Sequence, residues 1–76
     1  MRKEDDNYLK DILHICIDFH KCHVAYEGYS TEIGKSYGYS YRSAIELYMI
    51  VSMRIYPDKK ITKEDVLLLV ENSIVL

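Results

Sequence analysis

All the histidine and cysteine residues of this chain lie in one ten-residue stretch, between positions 14 and 23. If that stretch is helical, Cys16, His20 and His23 fall within about 60° of one another around the helix axis. Thiolate and imidazole are ligands that zinc prefers at tetrahedral geometry. Water, another element or a second subunit could supply the fourth ligand. The opposite face of the helix carries a second trio at four-residue steps, which could also contribute to zinc: His14, Asp18 and Cys22.

Helix packing is the favoured alternative for the same side chains. Cysteine is among the most frequently buried residue types, and histidine fills gaps between helices. Zinc frameworks usually take ligand pairs from two elements, and this sequence has no second His or Cys cluster. On a helix, Cys16 and Cys22 are too far apart for a disulfide. We therefore expect packing residues with free thiols and no cofactor, and we keep zinc as the alternative.

The composition indicates one small folded domain over residues 1–76. Hydrophobic residues make up 49% of the chain and charged residues 29%, with one proline and three glycines. The net charge of −2 provides none of the broad attraction that most nucleic-acid binders use. Residues 1–6 lack the apolar stretch of a secretory signal, and the longest uncharged run, residues 47–53, is far short of the ~20 that span a bilayer. With two free thiols, this predicts a cytoplasmic protein without membrane contact.

The elements that position these residues are predicted to be helices. Apolar residues recur at three- and four-residue steps from Leu9 to Val24, which indicates an amphipathic helix over about residues 5–26. Residues 26–41 contain all three glycines and five of the eight tyrosines. This composition predicts a loop, with a short extra helix within it as the alternative.

Two further helices complete the predicted fold. Ser40 can cap a second helix that ends before Pro57 and whose apolar run predicts burial on most sides. Thr62 and Asp65 resemble a capping box that opens a third helix over about residues 63–73. The predicted class is therefore all-α, a small bundle of three helices, or of four if the loop contains one.

The stretch between the first two predicted helices has a second interpretation. In residues 31–48, Ile33 and Gly34 form an apolar and small pair, Gly38 could open a tight turn, and Ser40 could cap the next helix. This pattern resembles the helix-turn-helix of DNA-binding transcriptional regulators. The resemblance implies a recognition helix in the major groove, with these residues available to DNA: Lys35, Tyr41, Arg42, Ser43 and Glu46.

The tyrosines predict protein binding. Tyrosine combines a large contact area with few rotamers and a hydroxyl suited to a wet edge. The candidate contact residues are Tyr29, Tyr37, Tyr39, Tyr41 and Arg42, with core packing as the alternative for Tyr37. Stacking of nucleic-acid bases on these rings is not favoured, because such platforms usually lie in a basic groove and this sequence predicts none.

The predicted function depends on an apolar run near the C-terminus and on the lack of catalytic motifs. The consecutive apolar residues 66–70 are more than one helix of a three-helix domain can bury, which favours a homodimer or another partner. No nucleophile elbow, phosphate loop or inward carboxylate pair indicates an enzyme. We expect a small non-enzymatic binding protein, a regulator or inhibitor of phage-like or viral character, acting through the tyrosine-rich loop and an apolar helix face. The alternatives are a helix-turn-helix DNA-binding regulator and a zinc-stabilised helical domain.

Overall fold

The computed structural model describes residues 3–28 and 31–74. They form three helices, α1 (Lys3–Glu27), α2 (Thr31–Ile55) and α3 (Lys63–Ile74), and none of the described residues forms a strand. The predicted all-α class is confirmed, as a three-helix bundle. The predicted first and third helices are confirmed to within one or two residues at each end. Of the candidate residues, Tyr29 lies outside the described part of the chain.

The two long helices form an antiparallel hairpin. Each has 25 residues and is therefore about 37 Å long. Near one end of the hairpin, the Tyr56 hydroxyl donates a hydrogen bond to the Asp6 carboxylate. Near the other end, His23 Nδ1 lies 2.7 Å from the Gly34 carbonyl oxygen. These two contacts link the start of α1 to the end of α2, and the end of α1 to the start of α2.

The sequence of α1 explains why it is helical and which side it buries. Its first turn carries Glu4, Asp5 and Asp6, whose negative charge is favourable at the positive end of the helix dipole. Leu9, Ile12 and Cys16 follow at three- and four-residue steps and are all buried. The buried stripe faces the other two helices.

Helix α3 begins with the predicted capping box. The Asp65 amide donates to Thr62 Oγ1 at 3.2 Å, and the Thr62 amide donates to an Asp65 carboxylate oxygen at 2.9 Å. Val66 and Val70 are fully buried on the side of α3 that contacts the hairpin. They complete one core cluster with five residues of the long helices: Ile12, Cys16, Tyr41, Ala44 and Ile45.

Residues 31–41 are helical, so the predicted loop and the predicted start of the second helix at Ser40 are both wrong. Helix α2 begins at Thr31 and runs without interruption to Ile55. Two glycines lie inside it, and each permits close contact with α1. A Cβ at Gly34 would lie 2.9 Å from the Glu27 Cα atom, and one at Gly38 would lie 3.1 Å from His23 Cε1. Tertiary packing against α1 therefore outweighs the low helix propensity of glycine.

The same continuity contradicts the helix-turn-helix interpretation. That motif needs a sharp turn at Gly38, but this glycine is in the middle of α2, and no described residue has a positive φ. Ser40 is an interior helix residue and not an N-cap. Residues 31–48 therefore contain no separate recognition helix.

Helix α2 is less enclosed than its apolar sequence predicted. Leu47 and Ile50 are each 43% exposed and Met53 is 39% exposed, so burial on most sides is wrong for this helix. In the described part of the chain, α1 and α3 pack against α2 and leave its outer side open. None of the helices over residues 3–28 and 31–74 combines the length and apolar character needed to cross a membrane.

Candidate protein-binding surface

Four side chains of residues 26–42 meet in two pairs, in the half of the hairpin nearest the connection between α1 and α2. The rings of Tyr26 and Tyr37 stack with their centroids 5.5 Å apart and their planes 14° from parallel. The Arg42 guanidinium lies over the Tyr39 ring, 5.8 Å from its centroid. Tyr39 is 63% exposed and Tyr26 is 42% exposed. We call these four residues and Lys35 the tyrosine end.

A small basic notch lies within the tyrosine end. It has a volume of about 220 Å³ and is lined by residues of α1 and α2 only, which are His23, Lys35, Gly38, Tyr39 and Arg42. No carboxylate of the described residues lines it. Lys35 and Arg42 are seven residues apart, so they lie on the same face of α2, two turns from each other. Within the described chain, neither of them forms a salt bridge.

The floor of the notch is held by contacts between the two long helices. His23 places its ring against Gly38, where the absent side chain leaves space. The ring is fixed by the hydrogen bond from Nδ1 to the Gly34 carbonyl oxygen, which is a pure acceptor. Arg42 is oriented in turn by its cation–π contact with Tyr39. The Arg42 guanidinium is therefore oriented before any ligand arrives.

A second surface, which we call the apolar face, lies between α1 and α2. It is an open groove of about 410 Å³ with small residues on its floor and Ile15, Phe19, Tyr39 and Leu47 around it. The floor residues are Ser40, Ser43 and Ala44. No residue of α3 lines this groove.

Helix α3 packs on a different side of α2. A cavity of about 270 Å³ between the two helices is lined by α2 residues that include Tyr41 and Ile45 and by α3 residues Lys63 and Leu67. Around the α2 axis, Leu47 lies about 160° from Ile45. The apolar face therefore lies on the far side of α2 from α3.

The five predicted DNA-facing residues share no single surface, although Tyr41, Arg42 and Glu46 all line the cavity between α2 and α3. Only Lys35 and Arg42 line the basic notch. Ser43 lies on the floor of the apolar face. Glu46 accepts a hydrogen bond from Lys63 Nζ at 2.7 Å, and this contact lowers the pKa of the Glu46 carboxyl. Tyr41 is only 9% exposed, so neither the DNA-facing role nor the protein-contact role predicted for it is open to its side chain.

The candidate metal ligands make packing contacts. Cys16 is fully buried, and this burial raises the pKa of its thiol to about 11. The His20 and Tyr41 rings meet edge to face with their centroids 5.1 Å apart. His23 Nδ1 donates a hydrogen bond to the Gly34 carbonyl oxygen. Across the described residues, no group of three or more His, Cys, Asp or Glu side chains could hold a metal ion. In the second trio, His14 and Asp18 are exposed and Cys22 is half-buried.

A larger cavity, at the opposite end of the hairpin, was not predicted. It has a volume of about 420 Å³ and is lined by charges of both signs, Asp6 with Lys10 and Lys59. The Lys59 ammonium lies 4.9 Å from the centroid of the Tyr56 ring. The hydrogen bond to Asp6 raises the pKa of Tyr56 to about 12. This cavity therefore holds an acidic group beside its basic groups, unlike the basic notch.

Sequence reasoning did not select four members of the tyrosine end and its notch as protein-binding residues: His23, Tyr26, Lys35, which was predicted only as DNA-facing, and Gly38. Lys35 and Arg42 are seven residues apart, which places two side chains on the same face of a helix. This spacing could not indicate a shared site while residues 31–41 were predicted to form a loop. No known protein family, no curated protein and no solved structure matches this chain.

Proposed function

We propose that this chain is a non-enzymatic binding protein, a regulator or inhibitor that recognises another protein through the tyrosine end. The recognised segment carries at least one carboxylate beside an apolar or aromatic side chain. The observation that carries this proposal is the basic notch, where Lys35 and Arg42 form no salt bridge with any residue that the structure describes, although the whole chain has a net charge of −2. A carboxylate from a partner would supply the missing charge.

The residue types of the tyrosine end suit this role. Tyrosine and arginine are enriched among the residues that dominate binding energy at protein interfaces. Arg42 can bind a carboxylate with two parallel hydrogen bonds, and its contact with Tyr39 reduces the side-chain entropy lost on binding. The stacked pair Tyr26 and Tyr37 offers an apolar surface next to the charge. The expected interface thus combines one charged anchor with aromatic contacts.

The proposed setting is the cytoplasm. Cys16 and Cys22 are both free thiols, which suits a reducing compartment.

A displayed library of random peptides, selected against the full chain, tests the proposal. We expect the selected peptides to carry Asp or Glu next to an aromatic or large apolar residue. Each charge-assisted hydrogen bond lost in Arg42→Gln should weaken their binding by roughly tenfold to a hundredfold. Arg54→Gln is the matched control, because Arg54 is an exposed arginine on α2 outside the notch. It should leave the dissociation constant unchanged.

Two results would contradict the proposal. One is a set of selected peptides without acidic residues, and the other is equal binding to Arg42→Gln and the unsubstituted chain. Duplex DNA at low salt belongs in the same assay, because binding of DNA and not of peptide would favour a nucleic-acid partner for Lys35 and Arg42.

A further inference from the structure

The cavity that Asp6 and Lys59 line, which we call the mixed-charge cavity, has a buried floor and a charged rim. Its volume of about 420 Å³ lies within the range of about 300–1,000 Å³ that is typical of small-molecule sites. At the floor, Leu9 is 7% exposed and Ser52 is 8% exposed. The rim residues Asp6, Lys10 and Lys59 are exposed. The lining therefore changes from apolar and hydroxyl groups at depth to charged groups at the opening.

The charges on this rim do not pair with one another. Within residues 3–28 and 31–74, Asp6, Lys10 and Lys59 form no salt bridge. Asp6 accepts a hydrogen bond from the Tyr56 hydroxyl, and the Lys59 ammonium lies 4.9 Å from the centroid of the Tyr56 ring. Tyr56 therefore holds a carboxylate at its hydroxyl and an ammonium near its ring. A carboxylate accepts several hydrogen bonds and an ammonium donates three, so both groups can also bind a ligand.

We propose that the mixed-charge cavity binds a free amino acid with an apolar side chain. The ammonium of this zwitterion donates to Asp6, and its carboxylate accepts from Lys10 and Lys59. Its side chain lies against the half-buried apolar residues Leu13 and Ile61. A ligand with charge of one sign would leave the rim charges of the same sign without a partner. A zwitterion complements both signs at once.

This inference does not rest on the proposed function. None of the residues that line the basic notch also lines the mixed-charge cavity. The cavity is formed by α1, α2 and the connection between α2 and α3. A ligand bound there holds these three segments together, so it should raise the melting temperature of the chain.

Nuclear magnetic resonance titration of the full, isotope-labelled chain with L-phenylalanine tests the proposal. We expect saturable shifts of the amide signals around the cavity, with a dissociation constant of about 1 mM or lower. Three matched compounds each lack one recognised group. N-acetyl-L-phenylalanine lacks the ammonium, L-phenylalaninamide lacks the carboxylate, and glycine lacks the apolar side chain. Each should bind at least about tenfold more weakly than phenylalanine.

Substitutions on the rim test the same contacts from the protein side. Asp6→Asn and Lys59→Gln should each weaken phenylalanine binding by roughly tenfold, because each removes one charged partner. Asp58→Asn and Lys60→Gln are the matched controls, since both residues are exposed in the same connection and neither lines the cavity. The controls should leave the dissociation constant unchanged. Circular dichroism confirms that each variant is helical.

Several outcomes would overturn the inference. They are the absence of saturable shifts up to about 20 mM phenylalanine, equally tight binding of any of the three matched compounds, and equal weakening in the rim variants and their controls. If a rim variant loses its helices, the compound series on the unsubstituted chain decides. Because the peptide assay uses Arg42→Gln, which lies outside this cavity, either proposal can fail while the other holds.

Discussion

His23 Nδ1 lies 2.7 Å from the carbonyl oxygen of Gly34 and ties the end of α1 to the start of α2. A carbonyl oxygen only accepts, so Nδ1 carries the proton and donates. The contact depends on glycine at two positions of α2, because Gly34 lets the backbone of Glu27 approach and Gly38 leaves room for the imidazole. The geometry of the basic notch follows from this junction.

Replacing Gly34 with alanine is expected to destabilise the protein. The new Cβ would lie 2.9 Å from the Glu27 Cα atom, so the backbone of α1 must move. The overpacking cost of about 1–3 kcal/mol outweighs the helix-propensity gain of up to about 1 kcal/mol. Urea denaturation of Gly34→Ala measures the difference. Gly28→Ala is the control, since nothing lies within 4 Å of a Cβ there, and an equal loss in both variants would contradict the packing argument.

Replacing Tyr41 with phenylalanine is expected to stabilise the protein. The Tyr41 hydroxyl is buried and makes no hydrogen bond with residues 3–28 or 31–74, and burial raises the pKa of this phenol. Removing an unsatisfied buried hydroxyl should increase the free energy of unfolding by about 1 kcal/mol. Tyr56→Phe is the contrasting variant and should lower stability, because it removes the hydrogen bond to Asp6. A loss of stability in Tyr41→Phe would show that its hydroxyl has a partner in solution.

The capping box should make a measurable contribution to stability. Thr62→Ala removes the acceptor of the Asp65 amide and is expected to cost about 1 kcal/mol in the free energy of unfolding. Thr62→Ser keeps the hydroxyl and should cost much less. Thermal melts followed by circular dichroism compare the two. Equal melting temperatures for the alanine and serine variants would show that this hydrogen bond does not stabilise α3.

The two cysteines should differ in reactivity. Burial raises the pKa of the Cys16 thiol to about 11, so at pH 8 it is almost entirely in the unreactive thiol form. Cys22 is half-buried and should react with iodoacetamide first. Peptide mass spectrometry locates the label, and denatured protein should label at both sites. Preferential labelling of Cys16 in the folded protein would contradict its burial.

The raised pKa of Cys16 also has a consequence for stability against pH. The unfolded thiol ionises near its ordinary value of about 9, before the folded thiol does at about 11. Stability contributed by this group is therefore complete below pH 9 and falls as the pH rises toward 11.

The sequence by itself determined the elements whose signals are local. The buried stripe of Leu9, Ile12 and Cys16 and the acidic first turn of α1 gave a helix with nearly correct ends. Thr62 and Asp65 located the start of α3, because a capping box is made by residues three positions apart. Residue types alone also selected Tyr39 and Arg42 as candidate protein-binding residues.

Only the tertiary structure decided the conformation of residues 31–41 and the roles of the residues within them. Locally, Gly34 and Gly38 indicate a loop or a turn. Both positions are nevertheless helical, because they pack against α1. Gly34 contacts Glu27, seven residues earlier in the chain, and Gly38 contacts His23, fifteen residues earlier. The same packing buries Tyr41 while leaving Leu47 exposed, because the sides of α2 that are covered depend on where α1 and α3 lie. A side chain's environment is set by neighbours distant in sequence, and local patterns carry no information about them.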